Sequence, residues 1–196
     1  MTYGILIKAY GQANQLDNAF NAFMKMKEQN LTPNDVTFGC LLDACIKNGR
    51  LEKALDVFAN MKKDKIKMNP IIYTTLIKGH SKNYNLDEAL KLYEEMKNDQ
   101  DISPNNVTYN SLIDCCVRCG STRDAERLFK EMKSRDIKPD LITFSTLIKG
   151  FCKEENIDGA FKVLSEMKQE GIEPDEVLFN SLLDGCCKCN ELDMAL

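Results

Sequence analysis

The sequence predicts an all-α fold, a right-handed superhelical solenoid of helix-turn-helix repeats. Three observations lead to this prediction. An aromatic signature returns with a period of 35 residues and a single step of 36, each period holds two helical patterns, and no segment alternates as a strand would. The aromatic residues that mark the period are Tyr3, Phe38, Tyr73, Tyr109, Phe144 and Phe179. Because each repeat of such an array packs only on its neighbours, we expect one continuous array over residues 1–196.

The period divides the chain into five full units and a partial sixth. We place the boundaries at residues 1–34, 35–69, 70–105, 106–140, 141–175 and 176–196. The chain then stops inside a second helix, so we expect either a fragment of a longer array or a chain that associates with a partner.

The fourth unit shows the two helices most clearly. Apolar residues at helical spacing predict a first helix from about Val107 to Cys119, which Gly120 breaks. A second amphipathic helix is predicted from about Thr122 to Arg135. We expect Pro139 to end it, because proline cannot continue a helix. The third unit carries one extra residue within 98–101, which we assign to its exit turn.

Two columns of the second helix predict the core. A small side chain at one place would let two helices approach closely, and a methionine stripe just before the exit turn is typical of packing. The columns are Ala19, Ala54, Ala89, Ala125, Ala160 and Ala195, and Met26, Met61, Met96, Met132 and Met167.

Composition narrows the classes of function. The net charge of −4 argues against binding nucleic acid by bulk positive potential alone. No apolar run has the roughly 20 residues needed to cross a bilayer, so we expect no membrane partner. Among nine cysteines only Cys116 and Cys119 form a Cys-x-x-Cys pair. Since Cys45, Cys116 and Cys186 recur at one place in the unit, we expect packing in a reducing compartment rather than a zinc site, and no cofactor.

The fourth unit also carries a family resemblance. Val-Thr-Tyr-Asn-Ser-Leu-Ile-Asp from Val107, then Gly120, Leu128-Phe129, Glu131-Met132-Lys133 and Ile137-Lys138-Pro139-Asp140, resemble the pentatricopeptide repeat, and the likeness covers the whole chain. The tetratricopeptide repeat is the nearest rival, but its tryptophan signature is missing. The resemblance implies a non-catalytic adaptor that binds single-stranded RNA, one base per repeat, in a mitochondrion or plastid, and acts in RNA processing, stability or translation.

In the family, two side chains read each base: the residue after the aromatic and the last residue of the repeat. The resemblance assigns these roles to Gly4 with Asn34, Gly39 with Asn69, Thr74 with Asn105, Asn110 with Asp140, Ser145 with Asp175, and an unpaired Asn180. A carboxylate accepts the ring N–H of uracil or guanine, whereas an asparagine amide donates to the bare ring nitrogen of adenine or cytosine. The implied target is 5′ (A/C)(A/C)AUG.

Two further columns fit the same resemblance, and each keeps a second interpretation. Apolar residues two places before the aromatic would sandwich the bases, or would belong to the core at the helix start: Val36, Ile71, Val107, Ile142 and Val177. Cations near the end of the first helix would face phosphates, or would be solvated charges favoured at a helix C-terminus: Lys47, Lys82, Arg118, Lys153 and Lys188.

The alternative function is a protein-interaction scaffold or a structural subunit of a ribonucleoprotein particle, which the glycines at two reading positions favour. Protein partners recruited through flanking regions fit either function. We do not expect an enzyme, because the single histidine, His80, is followed by Ser81 and Lys82 and cannot complete a deaminase motif.

Overall fold

The computed structural model describes residues 2–189, where the chain forms eleven α-helices and no strand. This confirms the predicted all-α repeat fold. The helices are α1 (Thr2–Gln12), α2 (Leu16–Glu28), α3 (Asp35–Lys47), α4 (Leu51–Lys63), α5 (Pro70–Lys82), α6 (Leu86–Asn98), α7 (Asn106–Arg118), α8 (Thr122–Ser134), α9 (Leu141–Lys153), α10 (Ile157–Gln169) and α11 (Glu176–Lys188).

The chain separates into two compact units. One comprises the residues up to Asn83 together with Asp87–Ser103, and the other comprises Tyr84–Leu86 and the residues from Pro104 onward. In the first unit α1 packs on α3 and α3 on α5, while α2 and α4 each pack on the helices before and after them. In the second unit α7, α9 and α11 pack in the same succession, and α8 and α10 pack against them.

The second helix of the fourth unit ends within one residue of the predicted Arg135, but the proline is not what ends it. Helix α8 stops at Ser134, and Asp136 takes a left-handed conformation with φ of 57°. Its N–H donates to the carbonyl of Lys133, and the N–H of Ile137 donates to the carbonyl of Met132, each at 3.1 Å. These two bonds form a Schellman motif that completes the helix end. The prediction that Pro139 ends this helix is therefore wrong: the left-handed turn ends it first.

The longer third repeat ends differently. After α6 the N–H of Asp101 donates to the side chain of Asp99 at 3.0 Å, and the N–H of Ile102 donates to the Asp99 carbonyl at 3.3 Å. Ile102 is buried, so this wider turn is anchored to the core.

The core follows the predicted columns. The five alanines from Ala19 to Ala160 are fully buried, as are four of the methionines, whereas Met26 is half-buried. Ala195 lies outside the described residues. Edge-to-face aromatic pairs join three of the second helices, α2, α4 and α8, to the first helix that follows. Their ring centroids lie 5.2 Å apart for Phe23 and Phe38, 5.6 Å for Phe58 and Tyr73, and 5.5 Å for Phe129 and Phe144.

Small residues lie where consecutive first helices cross. A Cβ added at Gly150 would come within 2.7 Å of Val117 Cγ2, and one at Gly185 within 2.8 Å of Cys152 Sγ. Cys45 and Cys116 are buried thiols, and burial raises their pKa to about 11 and about 12. These cysteines pack as small apolar side chains and are not poised as thiolates.

Neither a metal site nor a membrane-spanning helix is found among the residues that the structure describes. No three side chains among His, Cys, Asp and Glu come together there as a metal site would require. None of the described helices combines the length and apolarity needed to cross a membrane.

Candidate functional site

The last residue of each repeat caps the first helix of the next one. In all five cases the side-chain Oδ1 accepts a hydrogen bond from a backbone N–H in the first turn. The acceptors and donors are Asn34 from Thr37 (3.0 Å), Asn69 from Ile72 (3.0 Å), Asn105 from Thr108 (3.0 Å), Asp140 from Thr143 (2.9 Å) and Asp175 from Leu178 (2.8 Å). Asparagine and aspartate are both strong N-caps, so this role alone would explain them. The second side-chain atom, an amide nitrogen or a carboxylate oxygen, is what distinguishes one repeat from another.

The Asn110 and Asp140 pair is held in one network. Asn110 Nδ2 donates to Asp140 Oδ1 at 3.1 Å and to Asn106 Oδ1 at 2.8 Å. The Thr143 hydroxyl donates to Asn110 Oδ1 at 2.6 Å and accepts the Asp140 N–H at 3.1 Å. These bonds leave Asp140 Oδ2 and one lone pair of Asn110 Oδ1 for a ligand. The pair is therefore preorganised before anything binds.

Asp140 is held in its charged form. Partial burial alone would raise its pKa, but hydrogen bonds from the Thr143 N–H, the Asn110 amide and the Thr143 hydroxyl outweigh burial and lower the pKa. A carboxylate at neutral pH offers only acceptors, which suits a ring N–H on a bound base.

Thr143 was not among the predicted site residues. Its signal is the threonine directly before the aromatic in Thr-Phe and Thr-Tyr, which also occurs at Thr37 and Thr108. All three are buried. A threonine at the third helical position can complete a capping box, so the sequence did hold this information.

A groove of about 670 Å³ lies along α7, α9 and α11. It is within the size range of small-ligand sites. Predicted residues of all three kinds line it: the reading pair Ser145 and Asp175, the apolar Ile142 and Val177, and the cations Arg118, Lys153 and Lys188.

The Ser145 hydroxyl is buried in this groove without a hydrogen-bond partner. A buried polar group left unpaired costs about 1–3 kcal/mol. A ligand that offers a donor or acceptor here would recover that cost. Asp175, across the groove, is exposed, and its only hydrogen bond among the described residues is the cap to Leu178.

The remaining residues that were predicted to read bases differ in their exposure and in their hydrogen bonds. A Cβ built on Gly4 or on Gly39 meets nothing within 4 Å, so both positions open onto free space. Asn69 Nδ2 donates to Asp35 Oδ2 at 3.0 Å. Thr74 is 5% exposed, whereas Asn180 is exposed.

The apolar column lies on the surface. Exposure is 62% for Val36, 68% for Ile71, 51% for Val107, 62% for Ile142 and 71% for Val177. Their assignment to the core therefore does not hold. Ile142 and Val177 both line the groove, so at that place two exposed apolar side chains share one surface.

All five predicted cations are exposed as well, but their partners differ. Lys47 pairs with Asp43 at 2.6 Å, Arg118 with Asp114 at 2.7 Å and Lys188 with Asp184 at 2.6 Å. Arg118 and Lys188 each donate a hydrogen bond to their aspartate, and this bond raises the pKa of both cations. Lys153 Nζ donates to the Arg118 carbonyl at 3.4 Å. Lys82 forms no ion pair with any described residue.

Taken with the fold, these positions define a helical repeat protein with a groove along the first helices α7, α9 and α11. The family model described as the pentacotripeptide-repeat region of PRORP matches residues 38–194, and a PPR repeat family model matches residues 1–47. The chain belongs to the pentatricopeptide repeat (PPR) family. A comparison with curated proteins gave no match.

Solved PPR structures have the same fold. The chain is similar to PPR10 from maize, with 28% identity and a TM-score of 0.85 over 97% of this chain and 27% of that one. A structure of PPR10 in complex with an 18-nt psaJ RNA element gives 27% identity and a TM-score of 0.84 over 98% and 28% of the two chains. The chain thus spans little more than a quarter of the PPR10 length.

A third structure supports the fold alone. It is the PPR domain of Arabidopsis thaliana protein-only RNase P 1 in complex with tRNA, with 24% identity and a TM-score of 0.68 over 79% of this chain and 81% of that chain.

Proposed function

We propose that this chain binds single-stranded RNA without catalysing a reaction, and that each repeat reads one base. The observation that carries the proposal is the groove along α7, α9 and α11, where exposed apolar side chains, a reading pair and cations lie together. Family membership supports it, since the PPR10 structure of similar fold holds an RNA element. By family resemblance we also place the chain in a mitochondrion or plastid.

Each kind of residue in the groove matches one part of a nucleotide. Ile142 and Val177 are one repeat apart and expose apolar surface against which a flat base can pack. Asp175 offers a carboxylate oxygen to the ring N–H of that base, and Ser145 offers a hydroxyl. Lysine ammonium groups on the same groove suit the phosphodiester backbone.

The reading pairs give the proposed target 5′ (A/C)(A/C)AUG. Asn110 with Asp140 is assigned uracil and Ser145 with Asp175 guanine, while Gly4 and Gly39 have no side chain to contribute. The first two positions are therefore sorted only by their asparagine amides.

The test is equilibrium binding of short single-stranded RNAs, with double-stranded RNA of the same sequence as a competitor. Ile142→Ser should weaken binding about tenfold, because an apolar side chain that a base would cover is lost. Its fold should persist, since Ile142 is 62% exposed. Leu31→Ser is the matched control, an exposed apolar residue after α2 that should leave affinity unchanged.

The proposal fails if the chain binds no single-stranded RNA at moderate salt. It also fails if Ile142→Ser and Leu31→Ser behave alike. Either result would favour a scaffold that holds a peptide or a structured RNA. The open surface at Gly4 and Gly39 is an observation that favours this alternative.

A further inference from the structure

The charge four residues before each predicted phosphate-facing position alternates along the chain. The residues at this place are Lys8, Asp43, Lys78, Asp114, Lys149 and Asp184. Residues i and i+4 of a helix lie on the same face, so from the second repeat onward each of these side chains neighbours the cation of its own repeat, whereas Lys8 neighbours Gln12. Odd-numbered repeats thus carry a lysine there, and even-numbered repeats carry an aspartate.

In the even-numbered repeats the aspartate forms an ion pair with the cation. The pairs Asp43–Lys47, Asp114–Arg118 and Asp184–Lys188 all form within their own helix, with contacts of 2.6 to 2.7 Å. Each such pair carries no net charge, so its cation attracts a phosphate less strongly than a lysine without an anionic partner does.

In the fifth repeat the two cations stand together. Lys149 and Lys153 are both exposed on α9, and both line the groove. Neither forms an ion pair with any other described residue, and the hydrogen bond of Lys153 goes to a backbone carbonyl. Two adjacent positive charges repel each other on a free helix, and a bound phosphate would relieve that repulsion.

We propose that Lys149 is a second phosphate-binding residue beside Lys153, and that Asp114 and Asp184 mask the cations of the neighbouring repeats. Backbone contacts are then concentrated at every second repeat instead of being equal along the array. Lys78 and Lys82 form the corresponding pair in the third repeat: both are exposed, and neither has an ion-pair partner among the described residues. This inference rests on the proposed binding of single-stranded RNA.

The charges explain how an acidic protein can bind RNA at defined points. The net charge of −4 rules out a general positive surface. Two neighbouring lysines in the odd-numbered third and fifth repeats create a local positive potential. The aspartates of the even-numbered repeats limit this potential to those repeats. Such an arrangement favours a strand whose phosphates meet the lysines over any polyanion that merely approaches the surface.

The experiment measures the affinity for a five-nucleotide single-stranded RNA, CCAUG, across a series of salt concentrations. Lys149→Gln and Lys153→Gln should each weaken binding about two- to fivefold. Each should also reduce the slope of log K against log salt by about 0.7, the value for one phosphate contact on a single strand. Lys188→Gln should have a smaller effect, because Asp184 already occupies that lysine.

Substituting the aspartate that masks Lys188 should change the RNA affinity in the opposite direction. Asp184→Asn should strengthen binding and increase the slope, because it frees Lys188. Two controls on α10 match these changes in charge: Lys162→Gln and Asp158→Asn, both at exposed positions outside the groove. Neither should alter the slope by a comparable amount.

The inference is overturned if Lys149→Gln is indistinguishable from Lys162→Gln while Lys153→Gln and Lys188→Gln weaken binding equally. That outcome would mean that each repeat contributes one cation and that all these cations contribute equally to RNA binding. If the unaltered chain binds no RNA, the proposed function itself fails, so the two failures are distinguishable.

Discussion

Replacing Thr143 by valine tests whether the Asn110 and Asp140 pair is preorganised. Valine has nearly the same shape, so the substitution removes the hydroxyl and little packing. Thr143 is fully buried. Its hydroxyl accepts one bond, from the Asp140 N–H at 3.1 Å, and donates one, for which Asn110 Oδ1 at 2.6 Å lies nearer than Asp140 Oδ1 at 3.0 Å. The cap of the Thr143 N–H by Asp140 stays intact.

The expected loss follows from these two bonds. A typical hydrogen bond contributes about 0.5–1.5 kcal/mol net, so Thr143→Val should lower the free energy of unfolding by about 1–3 kcal/mol. Thr37→Val is the matched control. Its hydroxyl bonds only Asn34 Oδ1, at 2.8 Å, because the reading position of the repeat before it is Gly4. We expect a loss of only about 0.5–1.5 kcal/mol there.

Urea unfolding followed by circular dichroism measures both variants. A double-mutant cycle of Thr143→Val with Asn110→Ala should show coupling of at least about 0.5 kcal/mol. RNA binding adds a functional measurement, because a loosened pair should discriminate less well between uracil and cytosine at the fourth base. Equal losses at Thr143 and Thr37, or no coupling to Asn110, would refute the preorganised pair.

Three other expected outcomes concern glycine and histidine. Gly39→Ala should stabilise the protein by about 0.5–1 kcal/mol, because the added methyl enters open space on a helix, and a lower urea midpoint would contradict this. Gly150→Ala should instead cost about 1–3 kcal/mol in the same assay, because its Cβ would lie 2.7 Å from Val117; a neutral result would show that the helices separate easily. Burial lowers the pKa of His80, so the unfolded chain takes up a proton first, and stability should fall as the pH drops below about 6.5. His80→Leu should flatten that fall between pH 7.5 and 5.5 in urea unfolding, and an unchanged pH dependence would assign the fall to other groups.

Periodicity made the helices and the core predictable. The 35-residue period located every first helix that the structure describes, and the alanine and methionine columns identified buried positions, since a repeated unit must pack each copy alike. Helix ends were less predictable, because residues such as Asp136 adopt a left-handed conformation that the positions of the prolines do not predict. The backbone hydrogen bonds of the Schellman motif decide those ends.

The candidate site was predictable in position but not in pairing. The columns located the apolar surface, yet only the structure shows that Val36 and Ile142 are exposed rather than part of the core. Side-chain geometry within each helix shows that Asp114 forms an ion pair with Arg118, whereas Lys149 has no anionic partner among the described residues. Spacing four residues apart is the signal that would have predicted these ion pairs.

The most direct test of base reading exchanges Asp140 for asparagine. Asparagine is an equally strong N-cap, so α9 and the stability of the chain should be preserved while the outward acceptor becomes a donor. We expect the unaltered chain to bind CCAUG at least about tenfold more tightly than CCACG, since a hydrogen bond to a charged group contributes about 1.5–3 kcal/mol. Asp140→Asn should reverse that preference. Equal affinity for the two RNAs, or a preference that the substitution leaves unchanged, would contradict the proposal that this repeat reads a base.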